Sequence, residues 1–442
     1  MDTLTKNTKK QVKLSLLLVA LLSLLPALLW FTAQSTEAKF TDISSWMTSL
    51  GQLSGLVGMA MMSVVIILSS RPVFLDRFFS GLDNLYKVHK NLGILSFLLL
   101  LVHPLTLAAS YIPYSINSAA QFLLPGGGLA RDLGIWGLLG MMVLIPLAIG
   151  AKKIKYQIAK FYHQLFGAVF FVGAWHTVLV SSDVSRNFFI HWYLLVLMGA
   201  ALTAFTYKTL LGRWLIRRYV YFVKKIETLP AGTVEITMMP AEAPLPYTPG
   251  QFAFVSFVNT NIDNEPHPFS ISSSPKEPEL KILVKALGDY TRQLPNLLIG
   301  SRAEVEGAFG SLNYALTPNR EQVWIAGGSG LAPFLGMARD LKNTSREYKV
   351  DLYCCVGSEN ELICNEELAR IKPDKGWFRF IPFCKTECGR LDTDKIQKIS
   401  GQIRHKEIFL CGPPAMVISL KAQFAKLRIP KEQIHSEEFK LL

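Results

Sequence analysis

Apolar residues in the first half of the chain come in six long runs, with polar residues gathered between them. The runs lie near 14–31, 50–70, 88–111, 133–150, 157–181 and 189–211. Each is about 18 to 24 residues long, enough for a helix to cross the roughly 30 Å apolar core of a bilayer. The first run follows Lys9, Lys10 and Lys13 and precedes Ala33, as in a signal peptide. It outlasts the 7 to 15 apolar residues usual there, so a retained helix is expected. After Leu211 the period changes. Short alternating stretches at 219–229, 233–239, 251–258 and 280–286, punctuated by Gly and Pro, predict strands of an antiparallel β-barrel. From Gln322 a third texture begins: an apolar strand at 323–326, a Gly-rich turn, a helix at 331–341 and another strand at 350–356. That alternation predicts an α/β Rossmann-like, doubly wound sheet. The expected architecture is multi-domain: a six-helix transmembrane bundle over 1–212, a β-barrel over 213–318 and a nucleotide-binding α/β domain over 319–442.

Charge orients the bundle. Lys6, Lys9, Lys10, Lys13, Arg71, Arg77, Lys87, Lys90, Lys152, Lys153, Lys155 and Lys160 fall on one side, against Lys39, Arg131 and Arg186 on the other. By the positive-inside rule both termini are cytoplasmic, as expected of a multi-pass protein of the cell membrane. The run Arg213, Arg217, Arg218, Lys224 and Lys225 marks the exit from the last helix. A net charge of +13 then reflects loops facing anionic lipid headgroups. No basic stripe with interleaved aromatics lies on the soluble part, which argues against nucleic acid. All six cysteines (Cys354, Cys355, Cys364, Cys384, Cys388 and Cys411) fall on the cytoplasmic side, as reduced thiols without a Cys-x-x-Cys pair.

Histidine is rare at membrane depth, and four stand out: His89 and His103 in the third run, His163 and His176 in the fifth. The steps of 14 and 13 residues span roughly 21 Å and 19.5 Å of helix, so the pairs match in depth. Runs three and five point the same way in a serpentine bundle, which lets His89 face His163 and His103 face His176. Each pair can clamp one haem iron, the first near the cytoplasmic face and the second near the outer one. Fourteen residues return to nearly the same helix face, but thirteen land about 140° away, so the second helix needs a distortion or haems on different sides. Bis-imidazole ligation leaves no open iron site and favours electron transfer to an acceptor near the haem edge. Arg131 or Arg186 could hold a propionate or attract superoxide. His191 reads as interfacial, His405 and His435 as solvated, and Met59, Met61 and Met62 as packing between helices.

The soluble part carries further motifs. Tyr247-Thr248-Pro249-Gly250-Gln251-Phe252 turns into a strand, and His267-Pro268-Phe269-Ser270 opens a second segment. Gly288-Asp289-Tyr290-Thr291 precedes an expected short helix at 292–299 whose amides could hold a phosphate, and Glu306-Gly307-Ala308-Phe309-Gly310 closes the barrel. Gly327-Gly328-Ser329-Gly330-Leu331-Ala332-Pro333 stands where a strand hands over to a helix and could cradle a pyrophosphate. Cys411-Gly412-Pro413-Pro414 follows another apolar strand, 408–410.

In this order, behind a four-histidine membrane domain, these motifs resemble the ferric reductase and NADPH oxidase superfamily in a compact bacterial form, a transmembrane flavocytochrome b. The resemblance covers about residues 50–442. It implies that Phe269 lies against a flavin ring with Ser270 near its N5, and that His267 and Pro268 belong to the same FAD-binding strand. His267 stands where soluble ferredoxin reductase-like enzymes often carry a phosphate-gripping Arg. It also implies that Gly288, Tyr290 and Thr291 bind FAD, that Gly327, Gly328, Gly330 and Pro333 bind NADPH or NADH, and that Cys411, Gly412 and Pro413 sit beside the nicotinamide. Phe439 of Glu438-Phe439 resembles the aromatic that shields the flavin, although three residues follow it here. NADPH-preferring members place an Arg after the second strand, whereas this chain reads Cys355-Val356-Gly357-Ser358-Glu359, so the nucleotide stays open.

The expected activity is electron transfer from cytoplasmic NAD(P)H through FAD and two b-type haems to an outside acceptor. A hydride carries two electrons and a haem iron accepts one, so a flavin must convert between them. Oxygen, reduced to superoxide, is the leading acceptor, because the outer loops contain no His or Cys and few acids to gather metal. A ferric-chelate reductase is the second reading. The third is a haem electron-delivery subunit for a periplasmic protein, a partner that is possible but not required. No EF-hand is present, which points to constitutive activity.

Overall fold

The computed structural model describes residues 3–32, 40–150, 156–180, 187–258, 262–317 and 319–437, and the chain packs as two units. One comprises 12–75 and 84–216. The other comprises 217–441 together with the short segments Met1–Gln11 and Asp76–Asp83.

The first unit is helical: α1 (Thr3–Thr32), α2 (Ile43–Ser69), α3 (Leu82–Ala109), α4 (Leu129–Ile149), α5 (Tyr156–Gln164), α6 (Phe166–Leu179) and α7 (Phe188–Phe205). Five helices among the described residues are long and apolar enough to cross a membrane: Gln11–Thr32 within α1, then α2, α3, α4 and Phe188–Leu210. Apolar side chains such as Leu17, Leu28, Val143 and Val196 face outward, as in a body whose solvent is lipid. By contrast α2 is mostly covered, and Met59, Met61 and Met62 are buried in it as the sequence leads one to expect. The expected fifth segment, 157–181, is not one helix. It divides at Leu165 into α5 and α6, and neither piece alone has crossing length. The division falls between His163 and His176, where the 13-residue step needs a change of face. Just past it, Gly167 makes room for the Phe205 ring, which a Cβ would approach to 2.1 Å.

The second unit holds two sheets. Six antiparallel strands, β1 (Tyr219–Leu229), β2 (Thr233–Pro240), β3 (Phe252–Val258), β4 (His267–Ser270), β5 (Leu280–Lys285) and β6 (Arg302–Phe309), run in the order β4-β3-β6-β1-β2-β5. A bridge from Ile271 to Ile282 joins the two edges. Inward residues at every second position, among them Tyr221, Val223, Ile236, Val255, Ile282 and Val305, form its core.

Five parallel strands, β7 (Glu321–Gly327), β8 (Tyr348–Val356), β9 (Gly376–Cys384), β10 (Glu407–Cys411) and β11 (Ile434–Glu437), run in the order β11-β10-β7-β8-β9. Here consecutive residues are buried on opposite faces. Trp324 and Ala326 enter one core, with Phe334 of α8 (Leu331–Leu341), while Val323 and Ile325 enter the other, with Val417 and Phe424 of α9 (Pro414–Lys426). That is why the strand reads as a continuous apolar run: both faces of a parallel sheet are covered.

The expected helix at 292–299 is absent. Turns at 291–293 lead to a single 3₁₀ turn, Leu294–Asn296, because Pro295 cannot continue a helix beyond its first turn and the left-handed Gly300 reverses the chain soon after.

Candidate functional site

The membrane histidines meet in pairs. The His89 and His163 rings lie 6.0 Å apart by centroid, and those of His103 and His176 6.3 Å. Two metal–imidazole bonds of about 2 Å, plus about 1 Å from each nitrogen to its ring centre, also total about 6 Å. Each gap therefore has the width of one metal ion held between two imidazoles.

Three of the rings are also oriented for ligation. His89 Nδ1 bonds the Val65 carbonyl at 3.0 Å, His103 Nδ1 that of Gly51 at 2.7 Å and His176 Nδ1 that of Ala130 at 2.6 Å. A carbonyl only accepts, so Nδ1 carries the proton and Nε2 keeps its lone pair for a metal. Glycines let the rings lie against neighbouring helices. A Cβ on Gly55 would stand 2.5 Å from the His103 ring, and one on Gly134 2.8 Å from that of His176.

Around the outer pair opens a cavity of about 500 Å³, walled by Gly55, Met59, Leu100, Gly134, Leu138, Met141, Val169 and Gly173, within the range of cofactor pockets. An apolar cavity with two facing imidazoles fits a haem. Arg131 and Gln52 line it too; the Arg131 guanidinium lies 5.6 Å from the Phe122 ring centre and its buried Nε has no hydrogen-bond partner. Arg186 lies outside the described residues. His191 is half-buried in the first turn of α7, beside Trp192.

In the antiparallel sheet, β4 displays His267, Pro268, Phe269 and Ser270 beside β3, with Phe269 and Ser270 buried. His267 stacks on Tyr290 at 3.8 Å, making one platform from two of the expected residues. The Tyr290 hydroxyl is buried without a partner, and burial holds it strongly in its protonated form. Thr291 Oγ1 accepts from the amides of Leu287 (3.0 Å) and Gly288 (2.9 Å), so this hydroxyl shapes the turn itself.

The nucleotide motifs converge at the ends of β7 and β10, adjacent strands from which the chain proceeds to opposite sides of the sheet. This is the switch point where open α/β sheets bind ligands. The helix starts of α8 and α9 meet there, with Pro333 in the first turn of α8 and Pro413 capping α9. The glycines are there for backbone packing. A Cβ on Gly330 would fall 2.3 Å from the Cys411 carbonyl oxygen, one on Gly327 2.7 Å from Pro413 and one on Gly412 2.9 Å from the Gly327 Cα. Gly328 has φ +54° and open space beyond it. Cys411 is fully buried, and burial pushes its thiol well above the ordinary range, so it acts as a neutral packing group and not as a thiolate.

Phe439 lies outside the described residues. His405 is exposed, as expected, but His435 is not simply solvated: it bonds Glu407 at 2.7 Å and stacks on Phe409. Sequence reasoning also passed over Gln52, Gly55, Gly134 and Gly173, although the spacing of Gly51, Gly55 and Gly58 along one face of α2 was a usable signal.

Residues 54–174 match the ferric reductase-like transmembrane component, 219–352 an FAD-binding domain and 324–421 an oxidoreductase NAD-binding domain. The ferredoxin–NAD(P)(+) reductase component of a naphthalene 1,2-dioxygenase/salicylate 5-hydroxylase system from Ralstonia is 27% identical over 44% of this chain and 61% of its own length. A ferric/cupric reductase transmembrane component from Saccharomyces cerevisiae is 24% identical over 66% of this chain and 40% of its own. The Amycolatopsis cytochrome P450 reductase structure aligns over 50% of this chain and 70% of its own at 25% identity and a TM-score of 0.45. The chain spans about three fifths of the first of these relatives and two fifths of the second. The three matched domains follow one another in the order membrane component, FAD-binding domain, NAD-binding domain.

Proposed function

From a chain that joins a ferric reductase-like membrane component to FAD- and NAD-binding domains, we propose a transmembrane electron carrier that oxidises cytoplasmic NAD(P)H and reduces an acceptor outside the cell membrane. The observation that carries this reading is the pair of facing imidazole couples, 6.0 and 6.3 Å across, stacked at two depths of one helical unit. When bound, FAD would accept a hydride and return single electrons, which two bis-histidine haems would relay.

The chain's own residues supply the positions. His89 and His163 hold the inner site, His103 and His176 the outer, and α5 with α6 together make the sixth crossing. The His267–Tyr290 platform, Pro268, Phe269, Ser270, Gly288 and Thr291 seat the flavin. Gly327, Gly328, Gly330 and Pro333 leave room for the nucleotide phosphates at a helix start, while Cys411, Gly412 and Pro413 border the nicotinamide. Arg131 lines the outer cavity, where its unpaired Nε can hold a propionate or draw an anion.

Oxygen is the leading acceptor, and one hydride then yields two superoxide ions. Cytochrome c reduction by the purified, FAD-supplemented protein should be abolished by superoxide dismutase. A signal indifferent to dismutase, together with anaerobic reduction of ferric chelates, establishes instead the second reading, which the similarity to a yeast ferric/cupric reductase favours. A haem subunit serving a periplasmic protein would show little turnover with either small acceptor.

Nucleotide choice follows from the turn after β8. Glu359 and Glu361 stand there with no basic side chain between Gly357 and Glu361, so a 2′-phosphate meets negative charge while a ribose hydroxyl finds an acceptor. The expected kcat/KM ratio of NADH to NADPH is about 10 or more, and Glu359→Arg should narrow it; equal ratios in both proteins would remove these residues from the account.

A further inference from the structure

Beside the outer cavity a turn is built around one arginine. Past the short helix Ile116–Phe122 the chain runs through Pro125, Gly126, Gly127 and Gly128, all exposed, and enters α4. Gly126 and Gly128 have φ of +108° and +103°, which lets the chain reverse sharply. Asp132, in the first turn of α4, closes that reversal. Its Oδ1 accepts from the amides of Gly126 at 2.9 Å and Gly127 at 3.2 Å, while its own amide donates to the Gly128 carbonyl at 3.0 Å.

Arg131 is folded back onto this turn. A Cβ at Gly127 would collide with its guanidinium, so glycine is what leaves the seat open. The Phe122 ring, 5.6 Å from the guanidinium carbon, covers another side without consuming a donor. Arg131 also lines the cavity, the one Lys, Arg, Asp or Glu side chain that does so among the described residues, and its Nε is buried without a hydrogen-bond partner. The carboxylate next in sequence, Asp132, is turned to the loop amides and forms no ion pair with it. Ala130, on its other side, supplies the carbonyl that orients His176 at 2.6 Å, so the arginine stands one residue from the support of an outer ligand. The guanidinium therefore reaches from an exposed turn into the cavity of the outer histidines.

We propose, on the reading of an outward electron carrier, that this turn is the acceptor's port and that Arg131 makes it selective for small anions, such as carboxylate chelates of ferric iron, over cationic acceptors. A guanidinium presents parallel N–H donors that match a carboxylate, and beside an apolar cavity an unpaired cation attracts anions and repels cations more strongly than in water. Each chelate takes one electron, ferric iron becoming ferrous, so one NAD(P)H serves two chelates and leaves one proton inside. Asp132 is a positioning residue: it holds the turn on which Arg131 is seated and touches no acceptor.

The test is anaerobic, NADH-driven turnover of the full-length protein, loaded with FAD and haem in nanodiscs of zwitterionic lipid. Ferric citrate is the anionic probe and hexaammineruthenium(III) the cationic one. In Arg131→Gln, kcat/KM for ferric citrate should fall about tenfold, mainly through KM, while that for the ruthenium complex stays level or rises. Asp132→Ala should lose the same selectivity by releasing the turn, whereas Asp132→Asn, which keeps an oxygen for the two amides, should retain it. A haem count separates the port from a propionate clamp: full haem content in Arg131→Gln supports the port. A missing haem, or equal loss with both probes, overturns it. A wild type that reduces neither probe overturns the electron-transfer reading itself, and the port with it.

Discussion

Replacing His103 by Leu should leave one haem per chain instead of two in a pyridine-haemochrome assay, and adding His176→Leu should remove nothing further. The two rings face each other across 6.3 Å, so losing either leaves the iron with one protein ligand in a mostly apolar cavity. His89→Leu should likewise cost one haem, and His89→Leu with His163→Leu no more than that. Combining variants across the pairs, His103→Leu with His163→Leu, should leave none. This count distinguishes the pairing by depth from any pairing along one helix, in which His89→Leu with His103→Leu would spare a haem. A polar replacement should not rescue the site. His103→Asn keeps a polar side chain within reach of the Gly51 oxygen but puts no imidazole nitrogen in the gap, and should behave as Leu does. Full haem content in the single variants would show that these rings are not ligands.

The histidines were legible in the sequence because a polar ring in hydrocarbon needs a reason and the two spacings agree in depth. Five of the six apolar runs were legible for the same physical cause, since a crossing helix must match the bilayer. The nucleotide glycines were visible as a motif, but what each one permits is visible only in three dimensions: Gly330 and Gly412 belong to different strands and touch because β7 and β10 are neighbours. The division at Leu165 has no proline to announce it. His435 reads as a surface residue near the end of the chain because nothing local reveals that β11 sets it beside Glu407. Residues that act through distant partners left the least trace. Arg339 and Glu235 stand 104 positions apart and carry no motif in common.

Arg339→Met should destabilise the sheet-bearing unit by about 3–5 kcal/mol, the cost of leaving the buried Glu235 carboxylate without its cation. Arg339 lies in α8, 9% exposed, and its guanidinium is fully engaged. It meets Glu235 of β2 at 2.8 and 3.2 Å, Glu367 at 2.7 and 2.8 Å and the Ser272 carbonyl at 2.9 Å. Its neighbour Asp340 takes hydrogen bonds from Ser274 (2.9 Å) and Tyr314 (2.7 Å). These contacts tie the antiparallel sheet to the parallel one, and Gly336 makes the approach possible: a Cβ there would stand 2.7 Å from the Ile271 carbonyl oxygen. A thermal melt should shift down by roughly 10 °C or more. Arg339→Lys should recover only part of the loss, since an ammonium cannot serve two carboxylates and a carbonyl with a fixed planar fork. The pH dependence has a definite sign. Burial works against ionisation of Glu367, but the hydrogen bonds and charge of Arg339 outweigh it and hold that carboxyl below its ordinary value. Its contribution is present above the ordinary carboxylate range and disappears as pH falls below about 4. The wild type should therefore lose stability in acid that Arg339→Met no longer has to lose, and the two melting curves should converge there. Curves that stay parallel down to pH 3 would place the stabilising contact elsewhere than between Arg339 and Glu367.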